Sequence, residues 1–121
     1  EFRDKVYEFK SNIRQLLDRI HNEKGLILGY GASTKGNVLL QFAGITSKDI
    51  PYIGEVNTDK FGCYTPGTLI PIISEEEARK MEPDYFFIFP WHFKDFILTK
   101  EKSNLTKGVS LLFPLPTMEI L

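Results

Sequence analysis

The chain has 121 residues, 15 of them basic and 16 acidic, and 42% are hydrophobic. That size and composition fit one globular domain with a real core and exclude a disordered segment. The near-balance of charge argues against a nucleic-acid surface, and no apolar run approaches the roughly 20 residues of a membrane span.

Residues 2 to 20 carry Phe2, Val6, Phe9, Ile13, Leu16, Leu17 and Ile20 at steps of three and four. This period predicts an amphipathic helix, and Asn22 to Gly25 reads as its stop. Lys24 to Leu28 reads as a strand of the buried, parallel type. The run Gly29-Tyr30-Gly31-Ala32-Ser33-Thr34-Lys35-Gly36-Asn37 follows, and Thr34 to Ala43 reads as a helix capped by Gly44. A second strand is expected at 52–56, then a polar Gly- and Pro-containing loop from Asn57 to Thr68, then a short strand-like stretch at 69–72. Ser74 with Glu75-Glu76-Glu77 has the look of a helix start, ending by Met81 before Glu82-Pro83. Asp84 to Phe89 is a strongly apolar strand, Lys94 to Lys102 a helix, and Gly108 to Phe113 a last strand closed by Pro114-Leu115-Pro116. Strands alternating with helices imply a three-layer α/β domain with a mainly parallel, roughly five-stranded sheet.

On such sheets ligands sit at the carboxyl ends of the strands. Three polar segments follow strands: Gly29 to Asn37, Glu55 to Thr68, and Pro90 to Phe93. The first is a strand, a glycine-rich turn and a helix, which aims N–H groups at an anion. Gly29-x-Gly31 begins like a dinucleotide fingerprint, but Thr34 stands where the third glycine would fall. Gly31 and Gly36 have P-loop spacing, yet Asn37-Val38 follows Gly36 where Lys and Ser or Thr would be needed, so nucleotide hydrolysis is disfavoured. Two readings stand: an anion cradle supplied by Ser33, Thr34, Lys35 and Asn37, or glycines that merely permit a tight turn. Glu55 lies 24 residues after Gly31, where an acid can bond ribose hydroxyls, or it is an exposed strand-end carboxylate. Lys60 is either a phosphate partner or a surface charge, and Tyr64 either stacks on a ligand or packs. His92 is the candidate general acid or base, although such a histidine more often binds or caps, and no catalytic residue is assigned. Cys63 is the only cysteine and lacks a paired thiol, and no metal-ligand spacing occurs.

Read together, Gly29 to Asn37, then Glu55-x-Asn57-x-x-Lys60-x-Gly62-x-Tyr64-x-Pro66-Gly67-Thr68-x-Ile70-Pro71-Ile72, then Pro83-Asp84-Tyr85 and Pro90-Trp91-His92-Phe93, resemble the C-terminal domain of bacterial sugar C-methyltransferases. The resemblance runs over nearly the whole chain. Glu55 stands where the family often has Asp, and Thr58 where it often has Pro. The resemblance implies a Rossmann-like third domain of a cytoplasmic, S-adenosylmethionine-dependent enzyme that methylates a carbon of a nucleotide-linked deoxysugar. It also implies that S-adenosylmethionine and the base belong to a preceding domain, and that this domain alone binds no cofactor. Glu1 in place of an initial Met fits a fragment of a longer chain. The expected substrate-binding set is then Gly29, Gly31, Ser33, Thr34, Lys35, Gly36, Asn37, Glu55, Asn57, Lys60, Tyr64, Pro66, Gly67, Thr68, Trp91 and His92. The expected partners are a nucleotide sugar and the methyltransferase domain of the same chain, with no nucleic acid and no membrane. Two other classes remain open: a self-contained NAD-type dinucleotide-binding domain, and a non-catalytic interaction domain of a larger enzyme.

Overall fold

The computed structural model describes residues 2–90, 93–103, 107–113 and 119–121. In chain order the elements are α1 (Phe2–Asn22), β1 (Ile27–Tyr30), α2 (Thr34–Ala43), β2 (Ile53–Glu55), a 3-10 turn (Thr58–Lys60), β3 (Ile72–Ser74), α3 (Glu75–Lys80), β4 (Tyr85–Ile88), α4 (Lys94–Lys100), β5 (Ser110–Phe113) and β6 (Glu119–Ile120). The expected closing segment Pro114-Leu115-Pro116 lies outside the described residues.

The six strands form one sheet in the order β3-β2-β1-β4-β5-β6. The first five run parallel, and β6 pairs antiparallel with β5, Leu112 opposite Ile120. This is a Rossmann-like order, as expected, with one antiparallel edge strand beyond expectation. At the far edge, the Ile72 N–H donates to the Cys63 carbonyl at 2.9 Å and the Gly62 N–H donates to the Ile72 carbonyl at 3.0 Å. β1 starts three residues and ends two residues later than expected, so Gly29 and Tyr30 lie inside the strand and the turn begins at Gly31. β3 is likewise displaced, because the backbone at 62–64 pairs with residues 71–72 and delays entry into the parallel ladder.

Two apolar clusters lie on opposite faces of the sheet. One joins Ile13, Leu17 and Ile20 of α1 and Leu40 of α2 to Ile27, Ile53, Phe87 and Phe89. The other joins Ala78 of α3 and Ile97 of α4 to Leu28, Tyr30, Phe86 and Leu111. The alternation of Ile27/Gly29 and Leu28/Tyr30 across β1 produces this division. Each of these fully buried Ile, Leu or Phe side chains contributes about 1.5–3 kcal/mol of transfer free energy.

α1 is tied down by a second device. Arg14 donates to Asp49 through both terminal nitrogens, at 2.7 and 3.0 Å. Burial raises the Asp49 carboxyl, but bonds from Arg14 and the Thr46 N–H overcome it and hold the net value below the ordinary 3.8. A depressed carboxyl stabilises the fold above its unfolded value, and that contribution disappears as pH falls through the folded value. Arg14→Ala is therefore expected to cost about 1–2 kcal/mol at neutral pH. It should also flatten the acid limb of stability below about pH 4, as read by urea unfolding across pH.

Candidate functional site

After β1 the chain turns to α2 on one face, and after β4 it turns to α4 on the other. This divergence opens a crevice at the carboxyl ends of β1, β2 and β4, the place where open α/β sheets bind ligands. A cavity of about 480 Å³ occupies it.

The turn that forms one wall is built on three close approaches. A Cβ on Gly29 would lie 2.7 Å from Cγ1 of Ile53, and one on Gly36 would lie 2.5 Å from Cβ of Phe89. Gly31 has φ +78° and lies against Pro90, with 2.9 Å between an added Cβ and the proline Cδ. Gly36 thus performs the helix-to-strand packing that the third glycine of a dinucleotide fingerprint performs two residues earlier.

Five of the turn's amides, those of Gly31, Ala32, Ser33, Gly36 and Asn37, are engaged within the domain. The Gly31 N–H donates to the Gly54 carbonyl at 2.8 Å and that of Ser33 to the Gly31 carbonyl at 2.9 Å. Ser33 caps α2, its Oγ accepting from the Gly36 N–H at 3.1 Å. The Ala32 N–H donates to Glu55 Oε1 at 2.9 Å. Glu55 Oε2 accepts from Val56 and Asn57 N–H at 2.8 and 2.9 Å. Lys60 closes the arrangement, donating to the Ala32 carbonyl at 2.8 Å with Glu55 Oε1 3.9 Å away. Glu55 is therefore a buried latch between two loops, not an exposed strand-end acid.

The opposite wall holds a polar lattice from three elements. Lys100 of α4 donates to both oxygens of Glu75, at 3.0 and 3.1 Å, and its ammonium lies 5.6 Å from the Tyr30 ring centroid. Arg79 bridges Glu75 and Glu101, donating at 2.8 Å to each. The Tyr30 hydroxyl donates to Glu101 at 3.0 Å. Glu101 is 1% exposed, so its charge is held by Arg79 and not by water. The bond to Glu101 raises the already high pKa of Arg79. Burial first, and then the Glu101 and Glu75 carboxylates, push the Tyr30 phenol well above its ordinary 10.0. Around the mouth stand Val56, Phe93 and Phe96, all exposed.

Of the sequence-predicted residues, Gly31, Ser33, Glu55 and Lys60 meet in this cavity. Gly29 and Gly36 sit behind it as packing positions. Asn37, Pro66, Gly67 and Thr68 do not line it. Asn37 is buried, donating to the Pro66 carbonyl at 2.9 Å and accepting from Thr68 at 2.8 Å, and Gln41 adds a second donor to Pro66. These residues dock the long loop on α2. Asn57 caps the 3-10 turn, accepting from the Asp59 N–H at 3.1 Å. Tyr64 lines a separate cavity of about 290 Å³ beside β3. Trp91 and His92, and the side chains of Thr34 and Lys35, lie outside the described residues. Sequence reading missed Tyr30, Glu75, Phe96 and Lys100. The signals present were a tyrosine between two glycines and the Glu75–Arg79 spacing of four. Among the described residues, no group of His, Cys, Asp and Glu has metal-binding geometry, and no helix is long and apolar enough to cross a membrane.

A mainly parallel sheet with a walled crevice at its carboxyl edge defines a Rossmann-like α/β domain. Its sequence assigns it more narrowly: the chain belongs to the C-methyltransferase C-terminal domain family, whose model matches residues 1–116. It is 31% identical over 121 residues to the C-methyltransferase NovU of Streptomyces niveus. That match covers all of this chain and 29% of the relative.

Proposed function

We propose that this domain is the nucleotide-sugar-holding part of an S-adenosylmethionine-dependent C-methyltransferase whose methyl donor and base reside on a preceding domain. The observation that carries this reading is the cavity at the carboxyl ends of β1, β2 and β4. Its volume of about 480 Å³ suits a small ligand or part of a larger one, and its mouth presents apolar groups toward solvent. The chemistry of C-methylation requires a base to remove a proton from carbon. The carboxylates lining the cavity are both engaged, Glu55 by amides and Glu75 by Lys100 and Arg79. Holding and orienting the acceptor, not reacting with it, is what these residues can do.

The same geometry disfavours the NAD reading, because Ala32, Val56 and Asn57 already occupy three of the roughly four acceptor sites of Glu55, leaving too few for a pair of ribose hydroxyls. Titration calorimetry of the chain with dTDP, a dTDP-deoxysugar and NAD tests the choice. Saturable heat is expected with the dTDP-deoxysugar, at an affinity at least about tenfold above that for NAD, which is 1.4 kcal/mol. No methyl transfer is expected from the 121 residues supplied with S-adenosylmethionine and the sugar nucleotide. Saturation by NAD alone, or turnover by the isolated chain, would sink the proposal.

A further inference from the structure

We propose that the cavity receives the sugar ring of the nucleotide sugar and not its diphosphate, with Glu75 and Lys100 reading a polar substituent of the ring and Phe93 and Phe96 packing on its apolar face. This assignment rests on the sugar-nucleotide reading above and departs from the usual use of a Rossmann turn, which places phosphate at the helix N-terminus.

Three observations carry it. The first is the state of five of the turn's donors. The N–H groups of Gly31, Ala32, Ser33, Gly36 and Asn37 are all bonded within the domain, to Gly54, Glu55, Gly31 and Ser33. A phosphate placed against them would have to displace these bonds. The second is charge balance. The two cations of the lining are each matched by a carboxylate, Lys60 by Glu55 at 3.9 Å and Lys100 by Glu75 at 3.0 Å. Among the described residues, a diphosphate brought here would face two nearly buried carboxylates with no net positive charge to offset them.

The third is the composition of the Glu75 wall. An ammonium carries three N–H donors and a carboxylate about four acceptor sites, so a Lys–Glu pair retains capacity for one neutral group that both donates and accepts. A sugar hydroxyl is such a group, and a ring keto oxygen needs only the lysine. Beside the pair, Phe93 and Phe96 expose 58% and 69% of their surface at the mouth of the cavity. A deoxysugar offers the matching surface, a face of C–H groups interrupted by few hydroxyls. Arg79 and Glu101 act behind the pair as positioning residues: Glu101 fixes Arg79, and Arg79 fixes Glu75 through Oε1, the oxygen that Lys100 also bonds.

The experiment is titration calorimetry of the purified protein with dTDP and with a dTDP-linked 4-keto-6-deoxyhexose, on the wild type, Phe96→Ala and Lys100→Gln. Phe96 is largely exposed, so its truncation leaves the core intact; Lys100→Gln leaves Glu75 paired with Arg79. Unfolding midpoints verify that both variants are folded. The wild type is expected to bind the sugar nucleotide more tightly than dTDP. Each variant should lose about tenfold or more of the sugar-nucleotide affinity while dTDP binding stays within about twofold. Equal loss of both ligands would place the diphosphate in the cavity, and no loss of either would empty it of ligand; both overturn the assignment. A wild type that binds dTDP as tightly as the sugar nucleotide overturns it too, while the sugar-nucleotide reading survives. A wild type that gives no saturable heat with either ligand removes that reading, and the assignment with it.

Discussion

Arg79→Met is expected to lower the unfolding free energy by about 3–5 kcal/mol, because it removes the guanidinium bonded to a buried carboxylate. Glu101 is 1% exposed and receives two bonds from Arg79, at 2.8 and 3.3 Å, while Glu75 receives a third. With the guanidinium gone, Glu101 loses the two charge-assisted bonds that offset its burial. Removing both ends, as Arg79→Met with Glu101→Leu, should recover most of the loss, since a buried ion pair and an apolar pair of similar volume are often near equal in stability. Urea unfolding of the two single variants and the double variant measures this coupling. A single variant within about 1 kcal/mol of wild type would show the lattice to be hydrated. The same lattice sets an alkaline limit. Tyr30 has a folded pKa above its unfolded 10.0, so its contribution is complete below pH 10 and is lost as pH rises beyond that.

Gly36→Ala is the second large effect, expected to destabilise by about 1–3 kcal/mol or more. Two terms oppose one another at this position. Alanine is favoured over glycine inside a helix by about 1 kcal/mol. Against this, the new methyl would lie 2.5, 2.6 and 2.7 Å from three atoms of Phe89. Phe89 has no exposed surface and stacks edge-on against Phe87 with centroids 5.6 Å apart, so it cannot retreat without disturbing β4. The steric term wins. A fall in the thermal midpoint is the expected reading; a rise would mean that α2 slides outward to make room.

The architecture was legible because its signals are local. Apolar residues at steps of three and four marked α1, and unbroken apolar runs marked β1 and β4. Gly44 after Ala43 marked the end of α2, where it adopts φ 71°. Half of the site was legible for the same reason, since Gly31, Ser33 and Glu55 sit at strand ends where the topology gathers ligands. Their roles were not. Glu55 offers a carboxylate to whatever is nearest, and only the approach of Ala32, brought by the β1–β2 register, shows that the nearest donors belong to the chain itself. The lattice wall was hidden more deeply. Glu75 read as a favourable charge at a helix start, which it is, but its partner Lys100 comes from a helix 25 residues away. The far part of the long loop stands apart from the cavity that Lys60 lines, and there Asn37 and Thr68 spend their polarity on each other.

The margins of the sheet bear on how the domain meets other molecules. On one side β6 is only two residues long, and on the other the outward amide and carbonyl of Ile72 are taken by Cys63 and Gly62. Among the described residues, neither border offers a visiting chain a long open row of main-chain groups to zip onto. Association by strand exchange or fibrillar stacking is thereby discouraged, even though the interior strands are rich in aggregation-prone aromatic residues such as Phe86 and Phe87.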